Sequence, residues 1–362
     1  MKILIIGPLP DPIDGCSISN DTLCKNLEKR NINFKTINTN SKIVSSKQGS
    51  KFSLKKAFLF LKVYLKIYLL FSANVVYTTP GQTFFGLLKY SPFYVLCKIL
   101  KKPYVIHVHG NYLGTEYASL VGFKKKIFHF LVASADAGIV LSKSLKNNFN
   151  GLLALDKVFV VENFANDELY YKYNSNLKER GIPVILFLSN LIKEKGIIDV
   201  LDAFILLKKA DIEFKAYLAG KIEREFETVI LKKLELIGSS VEYLGVINGE
   251  KKYTILNKAN IFLLPTYYKM EGQPISILEA LAMGNIIVTT DHAGISDVVS
   301  KLNGYFVKKQ DAADIAKTIT NIATNMSAKI ENFESVNIKY AKSNFTEDLF
   351  SEKIIKILYG TI

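Results

Sequence analysis

An α/β protein built from two doubly wound domains is what this sequence predicts, on three observations. The chain has 362 residues, long enough for two domains of about 150. Short β-branched runs alternate with helical stretches throughout, the pattern of parallel sheets covered on both faces. One polar stretch, NDELYYKYNSNLKERG at 166–181, interrupts that rhythm and reads as a linker. The expected division is therefore a first domain over 1–165, the linker at 166–181 and a second domain over 182–346.

The first series of expected strands is Lys2–Ile6, Asn33–Thr39, Val75–Thr79, Tyr104–His109, Gly138–Leu141 and Val158–Glu162. The second is Val184–Ser189, Lys215–Ala219, Val241–Leu244, Ile261–Pro265, Ile286–Thr290 and Tyr305–Val307. Helical spacing marks Gly196–Lys209, Glu223–Ile237 and Ala312–Ile322. Two such domains face each other across a cleft lined by the loops that follow the strands, because open parallel sheets bind ligands beyond their carboxyl ends.

The composition, 49% hydrophobic and 22% charged, is that of a globular protein and excludes a disordered or fibrous chain. Cys16, Cys24 and Cys97 are too few for a disulfide framework and show no Cys-x-x-Cys spacing, which fits a reducing cytoplasmic setting. The opening MKILIIGPLPDP is too short and too soon broken by prolines for a signal peptide. The longest uncharged run, Ile67 to Leu88, carries Asn74, Thr78, Thr79, Pro80, Gly81 and Gln82, so it reads as helix end, strand, turn and new helix rather than a membrane span.

The net charge of +14 is one-sided. Residues 1–170 hold 22 Lys and Arg against 10 Asp and Glu, whereas 171–362 hold 25 against 23. An anionic partner for the first domain follows: nucleic acid, acidic lipid or a phosphorylated substrate. Within 51–70, Lys51, Lys55, Lys62 and Lys66 fall on an arc of about 60° of an otherwise apolar helix, with Lys56 off the stripe. That pattern suits peripheral docking on an anionic membrane, and equally a packed domain helix with solvated lysines. No nucleic-acid-binding module accompanies the charge, so nucleic acid is the weaker partner.

The strand ends carry the chemistry. The first strand runs into Gly7-Pro-Leu-Pro-Asp-Pro-Ile-Asp-Gly15-Cys-Ser17 and a helix, which is neither a dinucleotide fingerprint nor a P-loop. Gly15, before a Ser-capped helix, admits the backbone to a phosphate or sugar, or makes a plain tight turn. His107 and His109 share a face of one strand, His109 at its tip, where it either points into the cleft or caps the packing. After the strand at Val184 come Asn190, Lys193 and Lys195, the last just before a helix, placed for a phosphate or simply on a surface loop. The richest segment is PTYYKMEGQPISILEALAMG, 265–284. Pro274 suits the first turn of a helix and Gly284 its end, so Glu271 lies in the preceding loop and Glu279 in the second turn. Free N–H groups around Gln273–Ile275 make an anion site, and the two carboxylates suit paired hydroxyls.

These residues resemble a retaining glycosyltransferase of family 4, with the GT-B fold, over essentially the whole chain. The family's Glu-x7-Glu is similar to Glu271 and Glu279, HAGISD at 292–297 resembles its Gly-Gly-Ile-x-Glu stretch, and Asn303-Gly304 its following strand. Leu141–Ser144 and Val161–Phe164 are looser matches in the first domain. The resemblance implies that Glu279 holds the nucleotide ribose and Glu271 the donor sugar. It also implies that backbone at Gly272, Gln273, Pro274 and Ile275 contacts sugar and phosphates, and that Lys195 neutralises the leaving diphosphate. His109 would line the reaction centre, Gly15 would meet phosphate, and the closing helix, 347–362, would return to the first domain. Three positions depart from the family: Asn190 stands where an arginine is usual, with Lys193 a candidate substitute, Cys16 replaces a glycine, and Phe164 another.

The implied reaction moves a sugar from a UDP- or GDP-sugar to a saccharide acceptor, one linked to a lipid diphosphate such as undecaprenyl diphosphate, in bacterial surface polysaccharide synthesis. No Asp-x-Asp motif is present, so no metal and no cofactor is expected. A nucleotide-sugar epimerase of the same architecture and a catalytically silent partner of other transferases remain the competing readings. The setting expected is cytoplasmic, on the inner face of the membrane.

Overall fold

Every one of the expected strand runs is a strand in the computed structural model, which describes residues 1–40 and 61–362. The described chain divides into two units, Met1–Asn163 with Glu347–Ile362, and Phe164–Thr346. The first contains β1 (Lys2–Gly7), β2 (Asn33–Asn38), β3 (Val75–Thr78), β4 (Tyr104–Val108), β5 (Ala137–Val140) and β6 (Val158–Val160). All pair in parallel in the order β2-β1-β3-β4-β5-β6. β3, β4 and β5 are buried along their full lengths, as helices on both faces of a parallel sheet require.

The helices of this unit are α1 (Gly15–Lys29), α2 (Phe84–Leu88), α3 (Ser91–Ile99), α4 (Leu113–Ser119) and α5 (Gly122–Ala133), with the closing helix Glu347–Gly360. β1 to β2 steps one way across the sheet and every later connection the other way. Right-handed crossovers therefore put α1 on one face and α2 to α5 on the opposite one. The closing helix packs on α1.

The second unit contains β7 (Val184–Leu188), β8 (Lys215–Ala219), β9 (Val241–Tyr243), β10 (Ile261–Leu264), β11 (Ile286–Thr290) and β12 (Gly304–Val307). Its helices are α6 (Glu168–Lys172), α7 (Ile197–Lys209), α8 (Glu227–Ile237), α9 (Gly249–Lys258), α10 (Ile275–Ala282), α11 (Ala312–Ala323) and α12 (Met326–Asn344). The strand order is β12-β11-β10-β7-β8-β9, all parallel. The winding reverses between β7 and β10, neighbours through Ile261↔Ile185 and Phe262↔Leu186. The loops that follow these two strands diverge to opposite faces, which opens a crevice at the switch point.

Two expectations need correction. The helix expected over 51–70 is not continuous. Lys51 and Lys55 lie outside the described residues; 61–64 are helical, 65–66 form a turn, and Ile67–Ser72 is a 3-10 helix. A straight helix puts positions four apart on one side, yet Leu65 is exposed and Leu69 buried, so the chain has to turn between them. Lys62 and Lys66 are exposed.

The stretch 166–181 is a strap belonging to the second unit rather than a linker. Leu169 of α6 is fully buried. The Lys178 ammonium donates to the Ala259 carbonyl at 2.7 Å and Asn285 Oδ1 at 2.8 Å, and Asn260 Nδ2 donates to the Glu179 and Ile182 carbonyls, both at 2.9 Å. Polar composition suggests solvation, but here long polar side chains satisfy buried backbone groups instead. Burial pushes the Lys178 ammonium down to about 7, with Glu334 opposing and Arg180 adding to the shift. Between about 7 and the ordinary 10.5 the unfolded chain binds this proton better than the folded one, so stability rises with pH across that window. Thermal unfolding should show a gain of about 2 kcal/mol from pH 7 to pH 9 that the Lys178→Met variant lacks.

Candidate functional site

In the second unit the crevice is built by the loops after β7 and β10. Gly196 caps α7 at φ 84°, and a Cβ there would lie 2.6 Å from the Pro265 carbonyl oxygen. Only glycine lets the two loops press together at this point. Tyr267 N–H donates to the Glu194 carbonyl at 2.8 Å, fixing the contact. Lys195 is thereby carried against the β10 loop.

Its ammonium pairs with Glu271 Oε2 at 2.6 Å, and Thr266 Oγ1 donates to the same oxygen at 2.9 Å. The ammonium also lies 5.2 Å from the centre of the Tyr268 ring, a cation–π distance. Both charges are largely withdrawn from water, with side-chain exposures of 15% for Lys195 and 8% for Glu271. The loop is braced from behind. The Tyr268 carbonyl accepts from Glu271 N–H at 2.9 Å and from His292 Nε2 at 2.8 Å. A carbonyl only accepts, so His292 carries its proton on Nε2, and Lys309 donates to its Nδ1 at 3.1 Å.

α10 starts one residue later than the sequence suggests. Pro274 is its N-cap, at φ −62° and ψ 120°, and Ile275 its first residue. The fixed ring φ serves either position, but an extended ψ excludes Pro274 from the helix proper. The other end is as expected: Gly284, at φ 66°, donates to the Leu281 carbonyl while Asn285 donates to Ala280, both at 3.0 Å. This pair of bonds is the Schellman motif. Glu279 sits in the second turn, buried, and pairs with Lys252 of α9 at 2.6 Å. Gly272 and Gln273 are buried in the loop between the two glutamates, and the Gly272 carbonyl accepts from Gly294 N–H at 3.0 Å.

Of the expected residues, Lys195, Glu271, Gly272, Gln273, Pro274, Ile275 and Glu279 thus occupy one strand-end region. Asn190 and Lys193 lie exposed on the β7 loop, and neither is a partner of Glu271. Thr266, Tyr268, Lys252 and His292 complete the surroundings, and the sequence does not foretell these contacts. A threonine, a tyrosine and a lysine become neighbours of a carboxylate only through the sheet order.

In the first unit His109 follows β4 and packs against His107, the rings tilted with centres 4.0 Å apart, and Tyr77 Oη bonds His107 Nδ1 at 2.7 Å. Burial pushes His109 down to about 3, so it is neutral at neutral pH; His107 is lowered too, by burial and then by His109. Phe350 of the closing helix lies 6.3 Å from the His107 ring. Gly15 is the first residue of α1, and the cap is Asp14, not a serine. Ser17 N–H donates to Asp14 Oδ1 at 2.8 Å while Asp14 N–H donates to Ser17 Oγ at 2.9 Å. In this reciprocal capping box the serine holds the third helical position, and a carboxylate already occupies the helix N-terminus near Gly15. The Cys16 thiol is pushed up to about 12 by burial and then by Asp14.

Two doubly wound parallel units, with a lysine and two glutamates after the central strands of the second, define the GT-B class of fold. HepE of Anabaena, solved with UDP, has the same fold: TM-score 0.74 over 99% of this chain and 100% of that one, at 16% identity. Residues 172–342 match the family model for glycosyl transferases group 1, so the second unit is a domain of that family. An uncharacterized glycosyltransferase of Methanocaldococcus jannaschii is 26% identical over 279 residues, 67% of this chain and 66% of that protein. The N,N'-diacetylbacillosaminyl-diphospho-undecaprenol alpha-1,3-N-acetylgalactosaminyltransferase of Campylobacter jejuni is 26% identical over 193 residues, 52% of this chain and 47% of that protein. Both matches span less than two thirds of the relative's length.

Proposed function

We propose that this chain is a retaining glycosyltransferase of family 4. It would move a sugar from a UDP- or GDP-sugar to a saccharide carried on a lipid diphosphate, in bacterial surface polysaccharide synthesis. The observation that carries the reading is the Lys195–Glu271 pair at 2.6 Å, braced by Thr266 at the switch point of the second unit. A ligand at this point meets a cation, a hydrogen-bond acceptor and the N–H groups of the first turn of α10. Glu279 takes the ribose hydroxyls and Glu271 those of the sugar.

In the reaction the bond from the anomeric carbon to the phosphate oxygen breaks, and a bond to the acceptor oxygen forms on the same face. The departing phosphate oxygen takes up the acceptor's proton. Lys195, with Lys193 nearby and the helix N-terminus, stabilises the negative charge that develops there. His109, neutral at neutral pH, would act as a hydrogen-bonding group, not a cation. The bound UDP of HepE and the diphospho-undecaprenol in the Campylobacter enzyme's name support the donor and acceptor classes. The setting would be the inner face of a membrane. Among the described residues no helix is long and apolar enough to span one.

The test is transfer from labelled UDP- and GDP-sugars to a lipid-diphosphate saccharide, with the product's anomeric configuration read by proton coupling. A product that keeps the donor's configuration is expected. An inverted product, or free altered sugar without acceptor, contradicts the proposal.

A further inference from the structure

We infer that the first unit docks on an anionic lipid bilayer through the outer surface of one helical layer: residues 61–72, α3 and α5. The inference rests on the proposed membrane setting and names the surface that meets it. Crossover handedness places these three segments on one face of the sheet. They pack side by side: the Tyr64 ring lies 5.7 Å from that of Phe93, Tyr64 Oη donates to the Lys89 carbonyl at 2.9 Å, and α3 contacts α5.

Each segment turns apolar residues away from the sheet. In α3, Phe93 and Cys97 are buried; Val95 lies about 160° round the helix from both, and Ile99 about 160° from Cys97 and about 120° from Phe93. In α5, Phe128, Leu131 and Val132 are buried, and Phe123 and Phe130 again project from the opposite side. Leu65, Tyr68 and Phe71 do the same beside Leu69 and Leu70. Among the described residues nothing covers these side chains, whose exposures are 77% for Leu65, 70% for Ile99 and 77% for Phe123.

The charge selects the occupant. No Asp or Glu occurs between Glu28 and Glu116, nor in α5. Lys62, Lys66, Lys98, Lys101 and Lys126 are exposed on or beside the same segments. Aromatic and aliphatic side chains interleaved with lysines fit a headgroup boundary, where apolar tips enter the acyl region and ammonium groups meet lipid phosphates. A nucleic acid would use the lysines but leave the aliphatic side chains in water.

The experiment is co-sedimentation of the full chain with vesicles of phosphatidylcholine, with and without phosphatidylglycerol, in the absence of donor. Binding is expected only to the anionic vesicles and should weaken with salt. It should fall roughly fivefold for each lysine replaced at 98 and 126 by serine. The double variant Ile99→Ser with Phe123→Ser should also lose binding, while Leu302→Ser, a similarly exposed residue of the second unit, should not. All these positions are solvent-exposed, so the variants should melt like the parent. Equal binding to neutral vesicles, no binding to anionic ones, or loss in Leu302→Ser overturns the inference. So does tighter binding to single-stranded RNA that depends on the lysines alone. Because no sugar transfer is measured, failure here leaves the proposed reaction standing, and failure of transfer leaves this result readable.

Discussion

The Glu271→Ala variant is expected to lose sugar transfer by about 100-fold or more while retaining the fold. The carboxylate is the acceptor end of a buried pair, held by Lys195 at 2.6 Å and Thr266 at 2.9 Å, so its position is set before any ligand arrives. A sugar hydroxyl bonded to it would be oriented without further rearrangement, and truncation removes that orientation altogether. Glu271→Gln keeps the shape and an acceptor oxygen but not the charge, and should fall between the parent and the alanine variant. Comparing steady-state rates at saturating donor with thermal midpoints separates lost chemistry from lost stability. If Glu271→Ala transfers sugar at the parental rate, the site assignment is wrong.

The Lys195→Met variant should show a comparable loss with a different kinetic pattern. Its ammonium is the cation placed beside the Glu271 carboxylate, between the two loops of the switch point, over the Tyr268 ring. On the proposed reading it works on the ground-state diphosphate and more strongly on the departing one. Affinity for the nucleoside diphosphate should weaken by about tenfold and the maximal rate should fall further. Methionine preserves the stem that packs in the loop, so the unpaired Glu271 is the main structural cost. Lys195→Arg should recover only part of the rate, because a planar fork does not reproduce a compact ammonium between Glu271 and the Tyr268 ring.

Much of this was legible in the sequence because parallel sheets leave strong local traces. β10 reads IFLL and β11 IIVTT, buried on both faces, and runs of that kind bounded by turn residues need no tertiary knowledge to find. Glu271, Pro274, Glu279 and Gly284 were legible for a similar reason, since a proline start and a glycine stop fix the helical phase of everything between them. What stayed hidden depends on neighbours distant in sequence. Lys252 meets Glu279 only because α9 and α10 are brought together, and nothing in GEKKYTILNK marks one lysine among three. The stretch 166–181 reads as a linker because its own residues are polar, and only the fold reveals that Lys178 bonds the Ala259 carbonyl and that Asn260 bonds the Glu179 carbonyl. At α1 the sequence suggests a serine cap, and the reciprocal bonds of Asp14 and Ser17 give the cap to Asp14 instead.

The most direct test is a calorimetric titration of UDP and GDP into the parent chain and into Lys195→Met. One of the two nucleotides should bind the parent at a single site and lose about tenfold in affinity in the variant. Heat that is absent for both nucleotides, or identical for parent and variant, would contradict the claim that the second unit grips a nucleoside diphosphate at its switch point.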